Sequence, residues 1–167
     1  MELSLVIPVF NEAQNIGELT DRIRTALRSY SYEVIWVDDG STDPSAAEIR
    51  KHSGAETKLI SFSRNFGQTA ALAAGIDAAE GEYIVTLDGD QQNNPADIPA
   101  LLQQLKEGNW DVVAGYRKER HDNFLRTIPS RLANRLIRGI SGVSVRDYGC
   151  TLKVFRSPYA KNLDLYG

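Results

Sequence analysis

Five short apolar runs recur along this chain, each parted from the next by a stretch of helical character. That alternation constrains the fold more than any single motif. The runs lie at residues 3–9, 33–37, 58–62, 83–87 and 111–115, and the first two and the fourth are rich in Val and Ile. Between them, Ile16, Leu19, Ile23 and Leu27 recur at helical spacing, residues 68–79 are alanine-rich, and Pro95 opens a further helical stretch to about residue 106. Strands alternating with helices predict a parallel sheet covered on both faces. The expected fold class is therefore α/β, with a mostly parallel, Rossmann-like sheet flanked by helices. At 167 residues the chain suits one domain over residues 1–167.

Local signals refine the pattern. Asn11 is placed to cap a helix running to about Tyr30. Asp43 reads as the cap of the next, with Pro44 at the first helical position and Ser45 and Glu48 spaced for a capping box. Residues 123–139 read as a basic helix, and residues 149–155 as one more strand.

In open parallel sheets ligands bind beyond the carboxyl ends of the strands. Here those ends carry Asn11 and Glu12, then Asp38 and Asp39, then Arg64, Asn65 and Gln68, then Asp88, Asp90 and Gln92, then Arg117. Polar groups thus converge on one rim. Neither the glycine-rich turn of dinucleotide-binding folds nor the P-loop pattern occurs, so a phosphorylated ligand must be held another way. Asp88 and Asp90 offer it, because two carboxylates attract a divalent cation that in turn binds phosphate oxygens. An isolated D-x-D is more often a strand end running into a surface turn. Its position on the rim, after a buried strand, favours the functional reading. Asp38 and Asp39 sit in a turn-forming cluster, yet one of them could accept from a nucleobase N–H while the other supports the fold.

Charge narrows the partners. A net charge of −3 gives no whole-surface attraction to nucleic acid. From Arg117 to Arg138, seven Lys or Arg residues oppose only Glu119 and Asp122, which leaves −8 on the rest of the chain. One basic segment on an acidic body suits a localised anionic partner or a membrane surface. The single cysteine, Cys150, excludes an internal disulfide and reads as a packed core thiol. His52 and His121 lack partners at metal-ligand spacing and read as surface residues. The N-terminus lacks a signal-peptide pattern, and no run approaches the ~20 apolar residues of a membrane span.

Several segments match a known family in order. They are Val6-Ile7-Pro8-Val9-Phe10-Asn11-Glu12, Val37-Asp38-Asp39-Gly40-Ser41, Asn65-Phe66-Gly67-Gln68 and Leu87-Asp88-Gly89-Asp90-Gln91-Gln92-Asn93-Asn94-Pro95. Together they resemble family 2 glycosyltransferases of the GT-A fold, most closely the polyprenyl-phosphate sugar transferases. The stretch from Asp147 to Arg156 is similar to a segment of the undecaprenyl-phosphate aminoarabinose-type transferases.

The resemblance implies roles. Pro8, Asn11, Glu12 and Asp39 would surround the nucleotide base and ribose, with Asn65 and Gln68 completing the substrate-binding set. Asp88, Asp90 and Gln92 would hold Mg²⁺ or Mn²⁺ on the diphosphate of a UDP- or GDP-sugar. Arg117 and Arg131 would receive the phosphate of a lipid acceptor at a membrane surface. Asp88, Asp90, Arg117 and Arg131 form the expected catalytic set of an inverting transferase. Its location would be cytoplasmic, at the inner membrane face in a longer protein.

Two departures stand out. The family usually has leucine where this chain has Gln91, and two prolines where it has Asn94-Pro95. The family's catalytic domain also normally continues further, often into transmembrane helices, so the chain is expected to be truncated at its C-terminal end. The alternatives are a sugar-nucleotide-binding fragment without turnover, a transferase acting on a soluble or polysaccharide acceptor, a nucleotidyltransferase and a plain interaction domain. A nucleotidyltransferase would want a glycine-rich N-terminal signature that is absent.

Overall fold

A computed structural model describes residues 1–115 and 150–163. In chain order the elements are β1 (Leu3–Val9), α1 (Ala13–Ala26), β2 (Tyr32–Asp38), α2 (Ser45–His52), β3 (Thr57–Ser61), α3 (Gln68–Ala78) and β4 (Tyr83–Thr86). A 3-10 turn over Pro95–Asp97 leads into α4 (Ile98–Glu107), followed by β5 (Val112–Ala114), β6 (Lys153–Arg156) and α5 (Ser157–Lys161). The expected basic helix at residues 123–139 lies outside the described residues.

The sheet order is β3-β2-β1-β4-β6-β5. β1 pairs in parallel with β2 and β4, and β2 in parallel with β3. β6 is antiparallel to both its neighbours. The sheet is thus mostly parallel, as expected, with one finding the sequence pattern did not contain. β5 does not pair with β4, because the last strand inserts between them and runs the other way.

Period-two alternation sorts β1 into two cores. Leu3, Leu5, Ile7 and Val9 face one side, where they meet Ile16, Leu19 and Ile23 of α1, Ile49 of α2 and Leu101, Leu102 and Leu105 of α4. Val6 faces the other, with Val37, Ile84, Phe155 and Ala71 and Ile76 of α3. Burying each Ile or Leu stabilises by about 1.5–3 kcal/mol relative to exposure. The α1 stripe is the expected one, and Leu27 at its C-terminal end is fully buried. Cys150 is likewise buried in the first core.

At the amino end of the sheet a buried carboxylate ties three elements together. Glu33, 2% exposed, accepts from the Ser4 hydroxyl at 2.6 Å and from the Glu80 amide at 2.9 Å. Its second oxygen lies 2.8 Å from Lys58 Nζ. Burial pushes the Glu33 carboxyl up, but the bonds from Lys58, Ser4 and the Glu80 amide outweigh it and hold the group below the ordinary carboxylate range. Lys58 is raised in turn, chiefly by Glu33 and then by Glu80. A depressed carboxyl stabilises the fold above its unfolded value, about pH 4, and loses that contribution as pH falls through the folded value. The raised Lys58 contributes below the ordinary lysine range and is lost as pH rises through its folded value. Glu33→Gln should therefore lower stability by about 1–3 kcal/mol at neutral pH. The difference from wild type should shrink in acid denaturation as Glu33 itself protonates. Urea melts of both proteins between pH 3 and 7 check this.

Candidate functional site

The switch in strand order falls at β1, which has β2 on one side and β4 on the other. A cavity of about 380 Å³ opens at the carboxyl ends of these strands. Pro8 and Glu12 reach it from β1 and its exit, Asp39 from β2, and Asn65 and Gln68 from the loop before α3. Asp88 and Asp90 line it from the exit of β4. Seven of the residues singled out by sequence therefore share one concavity, joined by Phe10, which is 43% exposed there.

The walls are held by hydrogen bonds between loops. Asp39, almost fully buried, accepts from the Phe66 amide at 2.7 Å and the Gly67 amide at 2.9 Å. Gly40 sits at φ 71°, and a Cβ there would lie 2.3 Å from the Arg64 carbonyl carbon. Together they draw the loop of residues 64–67 against β2. Asp38 is buried as well, with its carboxylate accepting from the Ser41 amide at 3.0 Å. Both carboxylates of the pair bear structural bonds, and only Asp39 of the two lines the cavity.

Of the two helix caps expected from local sequence, Asp43 holds the start of its own helix and that of α1 as well, whereas Asn11 binds the loop before α2. Asn11, at φ 58°, does not cap α1. Its side-chain oxygen accepts from the Thr42 amide at 2.8 Å and the Asp43 amide at 3.2 Å. Asp43 reaches back to accept from the Ala13 amide at the start of α1, and also from the Ser45 amide. Ser45 accepts from the Glu12 amide at 2.9 Å and donates to Asp43, so no box with Glu48 forms. Burial raises the Asp43 carboxyl, and the bonds from the Ser45 hydroxyl and the Ala13 and Ser45 amides more than offset that, leaving it lowered. β1 and β2 are parallel neighbours, so their exits lie side by side and each loop completes the other. Asn11 is accordingly not among the cavity-lining residues.

The acidic turn is fixed on both flanks. A Cβ at Gly89 would lie 2.7 Å from Val9 Cγ1, so only glycine lets this turn pass over the end of β1. Gln91, at φ 62°, accepts from Arg22 at 3.1 Å, and its amide group faces Asn15 of α1 at 3.4 Å. Arg22 also donates to Asn94 at 3.2 Å. Gln91 thus anchors the loop to α1 through polar contacts. Asp88 accepts from Gln68 Nε2 at 2.7 Å on one oxygen and from the Thr151 hydroxyl at 2.6 Å on the other. Asp90 accepts from the Gln92 amide at 3.0 Å. Gln92 is exposed and does not line the cavity. Arg117 and Arg131 lie outside the described residues. Thr151 carried no assigned role in the sequence, and only strand pairing brings it here.

Chemically, the cavity is rich in carboxylates. Glu12, Asp39, Asp88 and Asp90 line it, and no Lys or Arg does so among the described residues. No cluster of three or more His, Cys, Asp or Glu suited to a metal occurs among them either. Two carboxylates at a strand exit suit a hard divalent cation that draws its remaining ligands from phosphate oxygens and water, as Mg²⁺ commonly does. The donor set fits such an ion.

Residues 4–163 match the family described as Glycosyl transferase family 2. The chain is 49% identical over 173 aligned positions to a dodecaprenyl-phosphate galacturonate synthase from Rhizobium johnstonii, covering 100% of this chain and 51% of that protein. It is 42% identical to an undecaprenyl-phosphate 4-deoxy-4-formamido-L-arabinose transferase from Pseudomonas fluorescens, covering 92% and 46%. The chain spans about half the length of these curated relatives. Among solved structures it is similar to glucosyl-3-phosphoglycerate synthase from Mycobacterium tuberculosis with Mn²⁺, UDP and phosphoglyceric acid. That match has a TM-score of 0.76 at 20% identity, over 94% of this chain and 56% of that one. It is also similar to the mannosyltransferase PcManGT from Pyrobaculum calidifontis with GDP-Man and Mn²⁺, at a TM-score of 0.74 and 20% identity, over 99% and 47%.

Proposed function

The chain belongs to glycosyl transferase family 2 and has the GT-A fold, and from that premise we propose that it serves transfer of a sugar from a nucleoside diphosphate to a polyprenyl phosphate. The observation that carries this reading is the cavity at the strand-order switch, lined by four carboxylates with no Lys or Arg among the described residues. A diphosphate enters so acidic a site only with a cation beside it.

Asp88 and Asp90 are the residues that would hold the divalent ion, with Gln92 beside them on the same loop. Glu12, Asp39, Asn65 and Gln68 would meet the nucleoside, with Pro8 lining the same cavity. Arg117 and Arg131 would receive the acceptor phosphate. An acceptor phosphate oxygen attacks the anomeric carbon in line as the bond from that carbon to the nucleoside diphosphate breaks, inverting the centre. The nucleophile is already anionic, so no side chain needs to remove a proton. When bound, a divalent cation offsets the charge that develops on the departing diphosphate.

The relatives' names support the acceptor class and suggest the first donors to test, a galacturonate and a 4-formamido-arabinose. No helix among the described residues is long and apolar enough to cross a membrane. A polyprenyl acceptor would bring the chain to the cytoplasmic face of a membrane.

Calorimetry with UDP and GDP, each with Mn²⁺, Mg²⁺ or chelator, tests the reading alongside a transfer assay to a short polyprenyl phosphate. One nucleotide is expected to bind only with metal, and product to form with its sugar. Binding without product would favour a nucleotide-sugar-binding fragment. No metal-dependent binding of either nucleotide would overturn the reading.

A further inference from the structure

We propose that Thr151 is a positioning residue that sets the orientation of the Asp88 carboxylate for cation binding. The inference rests on the reading of Asp88 as a metal-holding residue. β4 and β6 pair Tyr83 with Arg156, Ile84 with Phe155, Val85 with Val154 and Thr86 with Lys153. Extending that antiparallel register by two residues sets Thr151 opposite Asp88. The inserted strand is therefore what delivers a hydroxyl to the acidic turn.

Thr151 is itself fixed from two directions. The Thr86 hydroxyl donates to the Thr151 carbonyl at 2.6 Å, and Asn93 Nδ2 donates to the Thr151 hydroxyl at 2.9 Å. Asn93 is 5% exposed, and its side-chain oxygen faces the Cys150 thiol at 3.6 Å. An amide NH₂ only donates, and a hydroxyl has a single hydrogen. Because Asn93 Nδ2 cannot accept and the Asp88 carboxylate only accepts, Thr151 directs that hydrogen at Asp88, along the 2.6 Å bond. Gln68 holds the other Asp88 oxygen at 2.7 Å. The carboxylate plane is thereby set from both edges. Asn93 lies on the same loop as Asp90, so the relay also ties the second carboxylate's loop to β6.

Partners that orient a metal ligand are commonly worth about 10–100-fold in metal affinity. Thr151→Val keeps the shape and removes the hydroxyl, whereas Thr151→Ser keeps the hydroxyl. Mn²⁺ affinity in the presence of UDP or GDP, whichever the wild-type chain binds, is read by electron paramagnetic resonance, with Asp88→Asn alongside. Thr151→Val is expected to weaken Mn²⁺ about 10-fold, and Thr151→Ser to restore it to near wild type. Thr151→Ala, in the same titration, covers the case in which valine fails to fold. Wild-type affinity in Thr151→Val or Thr151→Ala, with affinity lost in Asp88→Asn, overturns this inference alone. Equal weakening in Thr151→Val and Thr151→Ser assigns the residue to packing and overturns it too. Retained Mn²⁺ binding in Asp88→Asn overturns the underlying reading as well.

Discussion

Asp88→Asn is expected to lower sugar transfer by about 10³-fold and to remove metal-dependent nucleotide binding, with the fold retained. The substitution is isosteric but neutral, and it puts an NH₂ where one carboxylate oxygen accepts. Asp88 accepts from Gln68 on one oxygen and from Thr151 on the other. The asparagine oxygen can keep either bond, so the stability cost should stay near 1 kcal/mol. What it cannot keep is the negative charge that draws a cation into the site. Asp90→Asn should lower transfer in the same direction, and the double variant should be little worse than Asp88→Asn, because both carboxylates would act on one ion. Steady-state transfer, calorimetry and a thermal melt on the three variants check the set. A transfer rate near wild type in Asp88→Asn would sink the metal-site reading.

The sequence was most informative where function depends on what directly follows a strand. β1, β2 and β4 are apolar runs that end in polar residues, so their exits, and with them Glu12, Asp39, Asp88 and Asp90, could be read from one dimension. Contacts between exits were not legible. Asn11 and Asp43 each precede a helix, and a local reading gives each to its own helix. The parallel pairing of β1 with β2 lets Asn11 reach across to the loop before α2, and lets Asp43 hold the start of α1 in addition to that of its own helix. β6 is a four-residue strand whose neighbours and direction are set by tertiary pairing, which local periodicity does not encode. Thr151 was invisible for the same reason, standing 63 residues from the carboxylate it touches. Gln91 reads in one dimension only as a departure from the pattern of the family that the chain resembles. Its left-handed backbone and its bond to Arg22 belong to a contact 69 residues long.

Asp39→Ala is expected to damage stability and binding together, in contrast to Asp88→Asn. Asp39 is only 4% exposed, and its two oxygens satisfy the amides of Phe66 and Gly67. Removing the carboxylate leaves both donors without their partner in a partly buried loop, at about 1–3 kcal/mol each. A total near 4 kcal/mol corresponds to a melting temperature lower by on the order of 10 °C for a chain of this size. The freed loop carries Asn65 and Gln68, so the cavity loses a wall and Asp88 loses the Gln68 bond that orients it. Gly40→Ala attacks the same wall from the other side. Its Cβ would meet the Arg64 backbone at 2.3 Å, in a backbone conformation at φ 71° that alanine rarely adopts. Since both changes release one loop, their effects on nucleotide affinity should fall well short of adding. Thermal melts and calorimetry on the two single variants and the double variant measure this. Full additivity would mean that Asp39 and Gly40 hold separate features, and that the loop before α3 is not a single clamped wall of the site.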